Sequence, residues 1–561
     1  MMMDDTTGLA AAGPLPPEES VEVVVVGAGP VGLTTALLLA ASGVEILLVE
    51  RNTGTSNEPK AISLDDESLR TLASAGVLDQ VMPIITPGTG TRYYGADGSP
   101  VFQARAPVPF RLGHPFKNPF AQPALELALH AAAAAHARIE ICFGTEFTAL
   151  RQDRNGVAVT LTRVENGSRH IVGCRYLLAC DGGRSPVRQA LGIAMTGRSH
   201  SDAWLVVDTV NDFHDELYGM HHGDPRRPHV IIPGLDGRCR YEVLLFSGEA
   251  EPGDELPLEK IRALLKGLRD LRAEDVERAV VYRFHSLVAD RWFDGRVYLL
   301  GDAVHMMPPF AGQGLNSGIR DAANLTWKIA DVLAERLGPS ALSTYEAERK
   351  PHAAATVRLS GRLGRLVMTT DAALAERRDR VISAAMATRE GRTFFEEMRY
   401  RPVPDLTGGI CVTDDVRSHP VGAGRMLGQP RVFDVERHGV ALLDSVMGRG
   451  WCLLGVAVPP QAWENLPAIV RDVDPVHVSA GLADRLPPSA TGCSRIVDVD
   501  GSMERELGAL RGRFALVRPD RFVAATWLPG EHERVDIGLA RFGPYSRHPL
   551  DQLTAAPVGA A

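Results

Sequence analysis

Residues 21–50 read VEVVVVGAGPVGLTTALLLAASGVEILLVE. The run VEVVVV is β-branched, apolar and too short for a helix, and Gly27 stops it, as expected of a strand buried on both faces of a parallel sheet. From Val31 to Ser42 good helix formers run on to Gly43, and VEILLVE resumes a buried strand, so the stretch spells one βαβ unit. Gly27, Gly29, Pro30 and Gly32 fill the strand-to-helix turn as GAGPVG, and Glu50, followed by Arg51, ends the second strand where an acid meets a ribose hydroxyl. The pattern is that of a dinucleotide site. Its glycines let the backbone approach a pyrophosphate, which the positive helix N-terminus attracts. The sequence holds no second such unit, so one dinucleotide is expected to be held firmly.

Working outward, RYLLACD (175–181) and RVYLLGD (296–302) are further short apolar strands, each ending in an acid followed by a Gly-rich turn. Their ends belong at one edge of the same sheet. WLVVDTV, HVIIPG, RYEVLLF and AVVYRF, separated by Gly, Pro and Asp turns, predict a second, more antiparallel sheet that could form a substrate wall. Helical patterns run from Gly314 to about residue 398, and RPVPDLTGG (401–409) marks a boundary. The expected fold class is α/β. It comprises a leader (1–20), a Rossmann-like nucleotide domain with long helices (21–85, 121–200 and 286–400), an inserted, mostly antiparallel sheet (86–120 and 201–285) and a C-terminal block (401–561).

Composition bounds the function. The chain has 561 residues, 45% hydrophobic and 23% charged, with a net charge of −9, so it can bury a large core, and it has no basic block for nucleic acid. Seven cysteines, odd in number and never spaced as CxxC, fit reduced thiols in the cytoplasm and neither a zinc module nor a disulfide framework; no metal is expected. MMMDDTTGLAAAGPLPPEES at the start carries acids but no Lys or Arg, and reads as a disordered leader, not a signal peptide. No apolar run reaches the length of a membrane span.

Two further motifs join the first: Asp181-Gly182-Gly183-Arg184-Ser185-Pro186-Val187-Arg188, and Gly301-Asp302-Ala303-Val304-His305-Met306-Met307-Pro308-Pro309 with Gly312-Gln313-Gly314-Leu315-Asn316-Ser317-Gly318 behind it. GxGxxG, DG and GD motifs in this order resemble the FAD-dependent aromatic hydroxylases, single-component flavoprotein monooxygenases, over residues 21 to about 360. PKAISLDDESLRT (59–71), FFEEMRYRPVP (394–404) and VRPDRFVAAT (517–526) extend the resemblance to the 3-(3-hydroxyphenyl)propionate hydroxylase subgroup, which ends in a thioredoxin-like domain without catalytic cysteines. One departure is Lys60, where the family usually has Arg, so a point charge replaces a planar fork.

The resemblance implies roles. Asp302 would bond the ribityl chain of FAD, while the Gly312, Gly314, Leu315 and Asn316 turn would aim N–H groups and a helix dipole at the flavin pyrimidine edge, where they would stabilise the anionic reduced flavin. Pro308 would lie at the flavin face beside the substrate, with Pro309 stiffening the loop. Gln122 matches a position contacting the flavin, or is a helix-start glutamine facing solvent. Asp181 and Arg188 would serve FAD and pyridine nucleotide, or form a structural ion pair or turn cap. His305 is a candidate proton-transfer group, or a packing residue. Met306 and Met307 read as packing residues. Candidate pocket groups from the inserted sheet are His222, His229, Arg240, Tyr241 and His285, of which alternation places about half inside. The expected reaction is ortho-hydroxylation of a substituted phenol with O2 through a flavin C4a-hydroperoxide, NADH or NADPH visiting transiently, in a possible homodimer. Alternatives are the same chemistry on a polyketide aromatic, resorcinol or nitrocatechol, a flavin reductase without oxygen insertion, or an NAD-dependent dehydrogenase.

Overall fold

The computed structural model describes residues 19–57, 60–416, 419–464, 466, 470, 473–479 and 493–543. Residues 1–18 of the expected leader, and those of the C-terminal block beyond 543, lie outside the described residues. The first strand starts at Glu19, within the span read as leader.

Glu19–Val26 lies between Arg169–Ala179 and Ile46–Val49, with Val297–Leu299 and Ile139–Cys142 beyond them, all parallel. Val23, Val24 and Val25 have no exposed surface, as their unbroken apolar run requires of a strand covered on both faces. The register decides what the sheet can do. Val26 stands opposite Val49 and Ala179, and Ala179 opposite Leu299, so Gly27, Glu50, Cys180 and Leu300 leave the sheet side by side. This carboxyl edge is where doubly wound sheets bind ligands. Helix Pro30–Ala41 packs on helix Gly314–Leu333 over this sheet.

A second, eight-stranded sheet runs in the order His305–Met306, Val276–Ala289, Met195–Thr209, Cys239–Leu245, His229–Pro233, Gly219–His222, Thr91–Tyr94 and Pro100–Ala104. Its pairs are antiparallel except that of Gly219–His222 with Thr91–Tyr94. The long pair begins at Met195 and ends at Ala289, outside the expected 201–285, because polar MTGRSHSDA carries no alternation signal; a register shift between Ser199 and Ala203 bends it there. Alternation sorts the two faces. Tyr241, Val243 and Leu245 join Ile261 and Leu265 in one core cluster, whereas Leu244 joins Trp204, Val230 and Phe310 in another, so Arg240 and Glu242 share the second face.

The C-terminal block forms a seven-stranded sheet ordered Gly439–Leu442, Arg431–Asp434, Ser494–Asp498, Asp474–Ser479, Cys452–Val456, Arg513–Val517 and Val523–Trp527. A buried carboxylate is one of its ties to the rest. Glu348, on helix Thr344–Val367, accepts from both terminal nitrogens of Arg518 at 2.9 and 2.7 Å, from Lys328 at 2.8 Å, from Asn324 at 2.7 Å and from the Ile410 backbone at 2.8 Å. Burial opposes ionisation of Glu348, but Arg518 and Lys328 hold its pKa well below the usual range. Their contribution is present at neutral pH and fades as the pH falls through the acid range. Glu348→Gln, which leaves buried cations short of charge, is expected to lower unfolding stability by about 3 to 5 kcal/mol at pH 7. Chemical denaturation measures this, and a midpoint equal to wild type would disprove the role.

Candidate active site

The turn after the first strand is forced by close approach. Gly27 has φ +100°, and a Cβ on Gly32 would stand 1.8 Å from the Gly27 carbonyl oxygen, so the helix can begin here only without that side chain. Gly29 is different. A Cβ there meets nothing within 4 Å, so the space before the helix N-terminus is open. Glu50 accepts from Ala28 N at 2.9 Å and from Asn52 N at 3.0 Å, which fixes its carboxylate at the mouth of this turn.

A cleft of about 480 Å3 runs along the row of strand ends. Gly27, Gly29, Pro30, Glu50, Arg51, Lys60, Gln122, Asp181, Asp302, Pro309, Gly312, Gly314 and Leu315 all line it. Asp302 extends exposed into this cleft and makes no hydrogen bond among the described residues; desolvation by the surrounding protein raises its pKa, against the pull of His305 and Lys60. Asp181 caps the following helix by accepting from Val187 N at 3.1 Å, and its other oxygen is buried with no partner among the described residues. Gln122 is buried, not solvent-facing: its Oε1 accepts from Ala61 N at 2.6 Å and its Nε2 donates to Glu126 at 2.7 Å, bracing the cleft wall.

Two expected contacts are supports instead. Arg188 does not line the cleft; it donates to the carbonyls of Ala303 and Gly183, both at 2.9 Å, and ties the two acidic loops together. Asn316 also lies behind it. Its Oδ1 accepts from Asp65 N at 3.0 Å and Ser68 Oγ at 2.7 Å, and its Nδ2 donates to the carbonyls of Ser63 and Gly312 at 3.0 and 2.7 Å. Gly312 thereby holds its left-handed conformation, and the Gly314–Leu333 helix starts facing the cleft. Asp65 and Glu67 both pair with Arg320, which also donates to Gln313 at 3.0 Å. Of the two prolines, Pro309, the first residue of the short turn Pro309–Ala311, lines the cleft, and Pro308, which precedes that turn, does not.

His305 faces away from the cleft. It has no exposed surface, and its Nε2 meets Asp321 at 2.7 Å; Asp321 also accepts from Gly301 N at 3.2 Å and from Arg349 at 3.0 Å. It is a core residue locking the Gly301–His305 loop to two helices.

On the second sheet, Arg240 and His285 line the cleft, whereas Tyr241, His222 and His229 lie on the other face. Tyr241 is buried and donates to Asp212 at 2.8 Å, and His222 is stacked between Tyr94 and His229, its pKa pushed down to about 4 by burial and the neighbouring His229. Arg240 is held by Asp208 at 2.7 and 3.1 Å and donates to the Lys60 carbonyl at 2.7 Å. Ser199 lies 2.8 Å from His285 Nδ1. Met306 and Met307, read as packing residues, line the cleft. Glu242, Lys117 and His221, which sequence reasoning missed, line a smaller cavity that shares Ile62, Ser63, Glu242, Pro309 and Gly312 with the cleft. Alternation from Arg240 could have found Glu242; loop residue Lys117 carries no periodic signal. Asp212, His214 and Cys239 cluster on the outer face, where Tyr241 and Arg269 already engage Asp212.

The family profile described as "FAD binding domain" matches residues 20–360, and that described as "HcaD C-terminal domain" matches 424–540. The chain is 36% identical over 516 residues to 3-(3-hydroxy-phenyl)propionate/3-hydroxycinnamic acid hydroxylase 2 of Burkholderia vietnamiensis (strain G4 / LMG 22486), covering 90% of this chain and 93% of that one. In fold it is similar to the flavin-dependent monooxygenase PieE in complex with FAD and substrate (TM-score 0.75, 24% identity, 94% and 100% covered). It is also similar to the OxyS anhydrotetracycline hydroxylase from Streptomyces rimosus (TM-score 0.71, 27% identity, 93% and 99% covered).

The cleft fits FAD on its own geometry: open space before Gly29 and Gly182, a helix N-terminus behind it, and a buried unpartnered oxygen on Asp181. Gly29→Val is expected to fold but to abolish flavin retention, since the new side chain has room in the protein and fills the diphosphate position. Asp302→Ala should weaken FAD by roughly 1.5 to 3 kcal/mol, the worth of a charge-assisted hydrogen bond. Circular dichroism and flavin absorbance after gel filtration check both; full occupancy in Gly29→Val would place the diphosphate elsewhere.

Proposed function

Because the chain belongs to the FAD-dependent aromatic monooxygenases, the family of the 3-(3-hydroxyphenyl)propionate hydroxylases, we propose that it ortho-hydroxylates a phenol carrying a second substituent, consuming O2 and NADH or NADPH. The observation that carries this reading is the junction at Pro309 and Gly312, which line both the cofactor cleft and the cavity under the second sheet. An aromatic ring seated there would meet an apolar wall formed by Val230, Ile232 and Phe310.

Bound FAD supplies the electron transfer and oxygen activation. The chain's own residues would do the rest. The Gly27–Gly32 turn and its helix would hold the diphosphate, Glu50 the ribose, and Asp302 the ribityl chain. Arg51 and Lys60 would offset the diphosphate charge, with Lys60 held by Arg240. The start of the Gly314–Leu333 helix would direct its positive end at the pyrimidine edge. Met306, Met307 and Pro309 would face the ring system and exclude water from the reacting carbon.

With one dinucleotide fold, the nicotinamide cofactor would visit only transiently. Among the described residues no helix is long and apolar enough to cross a membrane. A cytoplasmic location, a homodimer, and a thioredoxin-like C-terminal domain without exchange activity complete the proposal. The 36% identity to a phenylpropionate hydroxylase favours that substrate class; the likeness to an anhydrotetracycline hydroxylase supports a polyketide aromatic as the second reading.

A substituted phenol that the enzyme hydroxylates is expected to stimulate NAD(P)H consumption about tenfold or more, as when a competent state at most a tenth populated becomes dominant. Screening phenols and identifying products tests this; peroxide as the sole product across the panel would make the protein a reductase. The C-terminal block should not reduce insulin disulfides, because burial raises the Cys452 thiol pKa and pushes Cys493 up to about 11, leaving little thiolate at neutral pH. Reduction that is lost on replacing either cysteine would overturn that view.

A further inference from the structure

Lys117 sits in the left-handed backbone region, φ 59°, where a non-glycine residue is strained. Buried Asn118 imposes this conformation: its side chain accepts from Gly88 N at 2.9 Å and donates to the carbonyls of Leu64 and Pro115 at 3.0 and 2.8 Å. The result brings the Lys117 ammonium to the junction of cleft and cavity. Nζ donates to the Ala311 carbonyl at 3.1 Å, and a Cβ on Gly312 would stand 3.0 Å from it. Among the described residues it forms no ion pair.

We infer that Lys117 is the cation that binds the ionised phenolic oxygen of the substrate, an inference that rests on the reading of this cavity as a phenol site. Two other titratable groups line the cavity, His221 and Glu242, and Glu242 is paired with Arg240 at 3.9 Å. Burial, Lys117 and His222 push His221 down to about 3, so it is neutral, and burial raises Glu242 despite Arg240 beside it. Beyond the cavity Arg401 repels Lys117 and Asp65 attracts it, while burial lowers its pKa to about 8, so the ammonium still predominates at neutral pH.

Geometry selects the phenol oxygen over a side-chain carboxylate. In ortho-hydroxylation the phenolic carbon neighbours the attacked carbon, so with the flavin in the cleft its oxygen would lie near the shared Pro309 and Gly312, whereas a carboxylate on a propionate arm is several bonds away. On binding, the phenolic O–H bond breaks, its electron pair stays on oxygen and the proton leaves to solvent; nothing is oxidised or reduced. The phenolate enriches the ortho carbon in electrons.

The test is ultraviolet difference titration of FAD-loaded enzyme with 3-(3-hydroxyphenyl)propionate and with its O-methyl ether over a range of pH. Wild type should ionise the bound phenol about 1 to 3 pH units below the free ligand, the effect of an opposite charge at contact distance. Lys117→Met and Lys117→Gln, the latter keeping a donor for Ala311, should retain flavin but lose that shift, and should bind the ether as wild type does. A wild-type shift persisting in both variants, or an equal loss of affinity for the ether, would overturn the assignment. Failure of the phenol to bind wild type at all would instead overturn the phenol reading of the cavity, and this inference with it.

Discussion

The buried carboxylate of Asp321 is the contact on which the site's geometry depends. It receives Gly301 N, His305 and Arg349 at once, so the loop carrying Asp302 is fastened to both long helices from behind. Asp302 must face a ligand and so stays exposed, while the loop that carries it must be rigid to orient that acid. Placing the rigidity one layer back resolves the conflict. Burial disfavours the Asp321 charge, but His305 and Arg349 reverse that cost and hold its pKa below the usual range.

The same arrangement recurs around the cleft. Arg320 with Asp65 and Glu67 fixes the start of the Gly314–Leu333 helix, Arg240 with Asp208 ties two strands of the second sheet, and Glu348 fastens the C-terminal sheet. Breaking one such buried pair leaves an uncompensated charge, although replacing the whole pair by apolar groups can cost little. Their value is therefore positional. They determine where backbone N–H groups and loop acids point, while parallel register supplies the row of strand ends that those groups occupy.

The βαβ unit and the shared edge of its strands were legible because they rest on local rules: apolar runs for doubly buried strands, glycine where backbones touch, an acid at a strand end. Gly32 shows the strength of that signal, since a single Cβ would collide with the Gly27 carbonyl. The faces of the second sheet were not legible. Tyr241 and His222 are chemically suited to a pocket, yet each is one position out of phase with cleft-lining Arg240 or cavity-lining His221. Period-2 alternation divides a strand into two sets but does not say which set looks inward. His305 failed differently: its partner Asp321 is on the facing side of a helix, and a histidine satisfied by a buried acid has the same local sequence as one facing substrate. The partners Asp65 and Arg320 lie 255 positions apart, beyond any local pattern.

Lys117 lies at the limit of such reading. Its loop has no period, and the left-handed conformation is imposed by Asn118 through bonds to Gly88 and Leu64, so no neighbouring residue type announces it. Arg240 and Arg320 are matched by acids and act as fixed posts, whereas the Lys117 ammonium donates only to a carbonyl. A charge left with so little compensation in a closed place costs folding free energy, and natural structures concentrate such costs where a ligand can relieve them. An anionic oxygen arriving at Pro309 would find a cation already desolvated and already oriented, so little reorganisation would remain when the ring is attacked. The folding cost at Lys117 and the selectivity of the pocket are then two consequences of one backbone angle.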